Sequence, residues 1–420
     1  MGRAGRVALL SLTMAHCMVH VYIIFFTPLL KTIALEFGTA DYHRIGILAT
    51  YVYAAYGIGG LPAGLITDRF GGKATTVASV ALAALGALVA GFSTGLPQLA
   101  VGLVVMGFGA SLYHPSGFTT LSGILGTKGV GRAMGVHGIG GNLGQVLGPL
   151  VTGILVLWWG WRAPFIIWAV PGFIGAFLAF RFLPKTAESK DSPGREAEPA
   201  GGVVRAGQAS AAETTGLPSV VFIVLGLAAS QGIFTTGIFA FLPIYLQDVR
   251  GQLVSTAAFT VSLLLYGVGI LGQLLGGYLA DHVSRRLPLR LGTLASAVVL
   301  VLIPFASPGF VLTAAIVTLG VAFFILQAPI TTILADVTDP SRRGLVFGLL
   351  FVSQFTAGSL APIAGGYVAE IYGLNMLLYL LGMVAGLGWL FSLFLPGEEK
   401  PAEALTTLVT HGNIGGKLGR

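Results

Sequence analysis

"GLITDRFGGK", Gly64 to Lys73, ends a run of roughly twenty apolar and small residues by placing Asp, Arg and Lys in one short turn. "GYLADHVSRR", Gly277 to Arg286, repeats the pattern 213 residues later. Charges crowded into turns imply that the runs between them exclude charge. The whole chain agrees: of 420 residues, 55% are hydrophobic and only 9% are charged, where soluble domains average about 25% charged. With a mean hydropathy of +0.87, the chain reads as a membrane protein. In hydrocarbon every backbone polar group needs an internal partner, which leaves only helices or closed barrels. Barrel strands alternate over about ten residues. The runs here reach about 20–25 residues without alternation, which selects helices.

Twelve spans are predicted, at 7–30, 45–66, 74–93, 97–122, 133–157 and 163–183, then at 218–246, 256–280, 289–306, 309–334, 343–369 and 373–395. Residues 184–217 are rich in Ala, Gly, Ser, Pro and Glu and are predicted to form a flexible cytoplasmic linker. The linker divides an N-terminal six-helix bundle (1–183) from a C-terminal one (218–396), and 397–420 is a cytoplasmic tail. With the N-terminus inside, 19 of the 23 Lys and Arg residues fall on the cytoplasmic side; Lys31, Arg44, Arg162 and Arg250 fall outside. The net charge of +7 therefore reflects topology, not nucleic-acid binding. The start, "MGRAGR" and an apolar run, resembles a signal peptide, but the run is too long and no small-residue cleavage pattern follows. A retained first span is expected. Cys17 is the sole cysteine, so no intrachain disulfide can form.

The halves repeat. A shift of 213 aligns Gly64 with Gly277, Asp68 with Asp281, Gly135 with Gly348, Pro149 with Pro362 and Gly160 with Gly373. Near the start the shift is 215, pairing Pro28 with Pro243 and His16 with Gln231. Two parallel six-helix repeats around a linker describe a two-lobed transporter with its site near the bilayer midplane.

On these motifs the chain resembles a twelve-helix member of the major facilitator superfamily. The family's loop signature between helices 2 and 3 is matched by Gly64, Asp68, Arg69, Gly71 and Lys73. The second copy, Gly277, Asp281, Arg285 and Arg286, is degraded, with His282 at the Arg position. Read physically, Gly64 and Gly277 let two helices approach closely. Asp68 can face a positive helix N-terminus or an Arg and so latch the lobes on the cytoplasmic side. The plainer reading is that Arg69 and Lys73 only enforce topology. Helix 5 resembles the family's antiporter pattern through Gly135, Gly144, Gly148, Pro149 and Gly153, with Thr152 replacing one glycine; simple close packing explains it equally well. Helix 4 carries Gly107, Gly109, Ala110 and Ser111 but has Leu103 where drug exporters place an Arg. "YHP" at Tyr113, His114 and Pro115 is similar to the fosmidomycin-resistance branch.

By these boundaries no carboxylate, Lys or Arg is central to a span. The ionisable groups at depth are His16 and His20 on helix 1, His114 on helix 4 and His137 on helix 5. Such residues default to functional hypotheses. His16 and His20, four apart, share a helix face, and His16 lies ~14 Å in from Val7. Imidazole titrates nearest to neutral pH, so these groups can carry protons without a carboxylate; each can also serve only as a helix–helix hydrogen bond. Gln231 and Gln327 align with His16 and His114 as neutral C-lobe counterparts. No cofactor and no metal is expected, because spacing across separate helices fixes no ligand geometry.

The expected function is secondary active transport of a small, amphipathic organic molecule by alternating access, as proton-coupled export. Uptake of a metabolite, or a non-transporting membrane sensor, are the alternatives. No HExxH or GxSxG motif points to an enzyme. The expected setting is a monomer in the plasma (bacterial inner) membrane, both termini cytoplasmic.

Overall fold

The computed structural model describes residues 2–39, 41–124, 130–184, 217–339 and 342–395. The predicted linker and tail lie, but for Pro184 and Leu217, outside them. Among the described residues, 12 helices are long and apolar enough to cross a bilayer. They are α1 (Arg3–Glu36), α2 (Tyr42–Phe70), α3 (Gly72–Gly91), α4 (Leu96–Leu121), α5 (Ala133–Trp159), α6 (Arg162–Phe182), α7 (Ser219–Asp248), α8 (Val254–His282), α9 (Arg286–Phe305), α10 (Phe310–Val337), α11 (Val346–Tyr372) and α12 (Leu374–Leu393). The first six form one bundle and the last six its pseudo-symmetric partner. The α2–α3 turn lies at the same end as both described termini, the near face. The α1–α2 and α7–α8 turns lie at the far face.

The turns carry the mark of duplication. Gly38 and Gly251, and Gly160 and Gly373, all have positive φ (72°, 65°, 71° and 84°), and each pair is 213 residues apart. A side chain disfavours this conformation. At the charged turn Gly71 has φ 82° and joins α2 to α3; the second copy lacks that glycine, since Ser284 holds the matching place.

Several spans are broken. α1 outruns its predicted end at 30 because Thr27–Leu29 tightens into a 3₁₀ turn and the helix resumes over Leu30–Glu36. α4 stops at Ser111 and restarts at Tyr113, and α10 stops at Phe324 and restarts at Gln327. Each restart sits two residues before a proline, Pro115 or Pro329, whose missing N–H suits the first turn of a helix. These prolines are 214 apart, so Gln327 is the counterpart of Tyr113. The alignment of Gln327 with His114 is therefore corrected by one residue, and Ala328 stands opposite His114. Single π-helical stretches interrupt α8 (Val261–Gly267) and α11 (Val352–Thr356).

Two seams join the bundles. Along one, α2 lies against α11: a Cβ at Gly46 would strike the Pro362 carbonyl, one at Gly366 the Tyr42 backbone, and one at Gly57 the Phe355 backbone. Along the other, α5 meets α8: Ser262 Oγ donates to the Val146 carbonyl (2.6 Å), and Asn142 Nδ2 donates to Gln273 Oε1 (2.9 Å). At the far face the clasp becomes ionic. Lys31 of α1 pairs with Asp248 of α7. Tyr42 donates its hydroxyl to Asp248 (2.8 Å) and its backbone N–H to Glu370 (2.6 Å). Gln247 donates to the Pro28 carbonyl (3.1 Å).

The four cations predicted outside are all engaged at this face. Beside Lys31, Arg44 pairs with Asp41, Arg162 with Glu36, and Arg250 donates to the Ile303 carbonyl at 2.7 Å. By contrast Phe70 and Val283, ending α2 and α8 at the near face, are exposed. The structure is thus closed at the far face.

Removing the charge at Asp248 should loosen that clasp. In a Cys17→Ser background, Ala258→Cys, one turn into α8 from the far face, should react slowly with an impermeant maleimide. Adding Asp248→Asn should raise that rate several-fold, as expected for a shifted two-state population. An unchanged rate would mean that the ion pair does not hold the closed state.

Candidate functional site

Three helices converge on the inner wall of the N-terminal bundle. The α1 face bearing His16 and His20 lies against α5, where glycines let the backbones approach. A Cβ at Gly140 would meet the Thr13 carbonyl, and one at Gly144 the Cys17 carbonyl. Gly141 leaves space that the imidazoles fill: its Cβ would stand 2.8 Å from His16 Cε1 and 3.1 Å from both His16 Nε2 and His20 Cδ2. The restart of α4 turns Tyr113 inward, buried, with its hydroxyl donating to the Leu12 carbonyl (2.7 Å).

The rings form one cluster. His16 stacks on His137 (centroids 4.3 Å, 10°) and on Tyr113 (5.2 Å, 10°). His114 lies edge-on to His16 at 5.6 Å and to His20 at 5.7 Å. A directional chain runs through them. His16 Nδ1 is 2.9 Å from the His137 carbonyl, which can only accept, so Nδ1 carries the hydrogen. His16 Nε2 then offers a lone pair to His20 Nε2 at 3.1 Å. Gln145 Nε2 lies 3.3 Å from His20 Nδ1, while Gln145 Oε1 and His137 Nδ1 are buried without partners. Ligand atoms of His16, His20 and His114 all lie within 4.8 Å of one another.

This cluster is one wall of a cavity of about 470 Å³ between the bundles. The opposite wall is neutral: Thr235, Gln273, Gln327, Thr331 and Gln354, with Phe239 and Phe323. Phe239 packs edge-to-face on Phe323 (5.4 Å) and on Tyr266 (5.1 Å). The π-helical stretch of α11 delivers Gln354 and Phe355 to this wall. No Asp, Glu, Lys or Arg lines the cavity among the described residues. Phe118 and Thr331 line it and are nonetheless exposed. Both belong to the near-face halves of α4 and α10, so the mouth opens there.

The predicted site residues divide. His16, His20, His114, His137 and Gln327 line the cavity. Tyr113 and Gln231 do not: Tyr113 stands behind His16, and Gln231 is fully buried with Gln354 Nε2 3.5 Å from its Oε1. The close helix approach predicted at Gly64 and Gly277 is not present, since a Cβ at either meets nothing within 4 Å; the lobes stand apart at that face. Asp68, Arg69 and Asp281 are exposed. Lys73 donates to the Leu183 carbonyl (2.7 Å), and Arg285 pairs with Asp336, each within its own lobe.

On helix 5, Gly144 and Gly148 pack on α1 and Gly153 on Phe259 of α8, but Gly135 touches nothing within 4 Å. Sequence reasoning missed Gly141, Asn142 and Gln145. The signal was there: two amides three apart, on one face of an otherwise apolar span, after a glycine pair.

The model of the Major Facilitator Superfamily matches residues 12–271 and 252–411. A protein of Escherichia coli (strain K12) described as a probable L-galactonate transporter is 27% identical over 387 residues, covering 87% of this chain and 83% of its own. A multidrug resistance protein B homolog of Mycobacterium tuberculosis (strain ATCC 25618 / H37Rv) is 31% identical over 173 residues, 41% of this chain and 32% of its own. The crystal structure of a bacterial homolog of the human lysosomal transporter Spinster has the same fold, at TM-score 0.75 and 18% identity over 93% of this chain and 98% of its own.

Packing separates the glycines of helix 5. Gly144→Leu should lower the thermal melting midpoint in detergent by several degrees, because a side chain there meets the α1 backbone. Gly135→Ala should leave it unchanged. Equal effects at both positions would contradict the packing assignment.

Proposed function

We propose that this chain, which belongs to the major facilitator superfamily, is a secondary active transporter that exports a small, amphipathic organic molecule by alternating access, coupled to protons. One observation carries the reading: a cavity at the seam of two bundles, clasped at the far face, open at the near face, and walled on one side by four imidazoles. With no carboxylate or fixed cation on the cavity wall among the described residues, coupling protons have those imidazoles as acceptors, His114 first.

In this reading the protein spans the bacterial inner membrane, the near face and both termini are cytoplasmic, the protein works as a monomer, and the structure faces inward. Closure of the near face would bring the exposed Asp68 and the ends of α2 and α8 towards the facing lobe, where Asp68 acts as the latch. Export is supported by the helix 5 pattern, by the multidrug-resistance relative, and by the likeness of Tyr113, His114 and Pro115 to the fosmidomycin-resistance branch. A second reading, uptake of a small organic acid, is favoured by the longer match to the L-galactonate transporter relative.

Reconstituted into liposomes and offered a panel of labelled compounds, the protein should move at least one against its gradient when a pH difference is imposed. The quadruple variant His16→Gln, His20→Gln, His114→Gln, His137→Gln keeps hydrogen-bonding side chains but cannot titrate, and should lose at least 10-fold of that response. A properly inserted quadruple variant that still responds would place the coupling site elsewhere. The sign of the pH gradient that drives accumulation separates export from uptake.

A further inference from the structure

We propose that His16, His20 and His114 form a binding site for a late first-row divalent metal ion, taken as its complex with an anionic organic chelator. This deepens the transport reading by naming a substrate class, yet its test needs no transport.

Geometry comes first. The three imidazoles lie on two helices that the bundle holds in place, with ligand atoms within 4.8 Å of one another. A tetrahedral ion with metal–nitrogen bonds of about 2.0–2.1 Å sets its ligands about 3.4 Å apart. His16 Nε2 and His20 Nε2 are already 3.1 Å apart, so His114 needs only a small inward shift. His114 is part-exposed on the cavity wall, which gives it that freedom. Neutral imidazoles select zinc, copper or nickel over magnesium or calcium.

The outer partners fit as well. A ligating imidazole donates its other ring N–H to an oxygen, which fixes the tautomer and orients the ring. His16 already does this through Nδ1 to the His137 carbonyl. His20 would need an acceptor at Nδ1, and Gln145 stands there at 3.3 Å with its Oε1 buried and unpartnered. A half-turn of the amide brings that oxygen to His20 Nδ1. In neutral His20 the orphaned oxygen gains its partner when Nδ1 carries the hydrogen, and Nε2 is then a lone pair facing the cluster. Gly141 leaves room for the rings.

Charge then decides the form of the cargo. Three imidazoles bring no negative charge, and no Asp or Glu lines the cavity among the described residues. A bare divalent ion would lie at bilayer depth with its charge unbalanced, at heavy cost. The ion must therefore arrive with its own anionic donors. These can fill the coordination position facing the cavity and reach the neutral wall of Gln273, Gln327, Thr331 and Gln354.

The test uses the full chain, purified without a polyhistidine tag, with Co²⁺ as a visible probe and ¹⁴C-labelled citrate as chelator. Wild-type protein should develop a saturable ligand-field band at one Co²⁺ per chain, removed by one equivalent of Zn²⁺. Labelled citrate should be retained only when Co²⁺ is present. His114→Gln should weaken Co²⁺ binding at least 10-fold, Gln145→Leu about 10-fold, and His282→Gln, at an exposed histidine outside the cluster, not at all.

No saturable band in the wild type, or equal binding in His114→Gln, would overturn the site. Bound Co²⁺ that excludes citrate, or citrate retained without metal, would overturn the chelate. Should His114→Gln fail to purify, the Zn²⁺ competition and Gln145→Leu still decide the matter. Transport without metal binding would remove this inference alone; metal binding without transport of any compound would remove the transport reading alone.

Discussion

The structure rests on the exclusion of charge from the depth of the bilayer. Every described carboxylate lies near the end of a span, from Glu36 and Asp41 to Asp336 and Glu370. Charges confined to the ends can grip there, and they do: at the far face Lys31, Asp248, Tyr42 and Glu370 tie the bundles together across the seam. Between the two faces the lobes meet through glycine backbones and a few neutral hydrogen bonds, which can separate and re-form without stranding an ion. Among the described residues, the side chains at depth able to take up a positive charge are the four imidazoles, and all four face one cavity.

In the proposed alternating access, the same exclusion would give motion a direction. A contact that is ionic at one end and soft along its length is a hinge rather than a weld. In the far-face pair Asp248 is mostly buried, at 12% side-chain exposure, and Lys31 is wetter at 31%, so parting them costs more than parting an exposed surface pair. The near face carries Asp68 and Asp281 exposed on matching turns, the kind of groups that could take up the clasp when the other end lets go. The breaks in α4 and α10 sit at matching places beside the cavity, so each bundle presents a short, proline-led segment to whatever lies between them.

Much of this was legible in the sequence. Twelve runs, the charged turns and the glycine pairs 213 apart fixed the architecture, because span length and turn chemistry are local properties. His16 and His20 were legible as one face because they sit four apart on one helix. That they meet His114 and His137 is tertiary. It follows from the break at Leu112 and the glycine face of α5, and neither can be read from one helix alone. Gln145 and Asn142 were passed over because a polar residue in a span declares its depth but not the direction it faces. Gly64 and Gly277 were misread for the opposite reason: the motif says that a glycine is present, while its use depends on whether a neighbour is close, and at an open face none is.

The central claim is that two stiff bundles rock about the histidine cavity. Spin labels at Phe70 and Val283 report the near face, and labels at Phe92 and Leu253 report the far face; all four positions are exposed. Pulsed distance measurements should show one dominant far-face separation in the wild type. On replacing Lys31 by alanine, the account predicts reciprocal change, with the far-face distance lengthening as the near-face distance shortens. Distances that lengthen together, or a near-face distance that stays fixed while the far face opens, would contradict it.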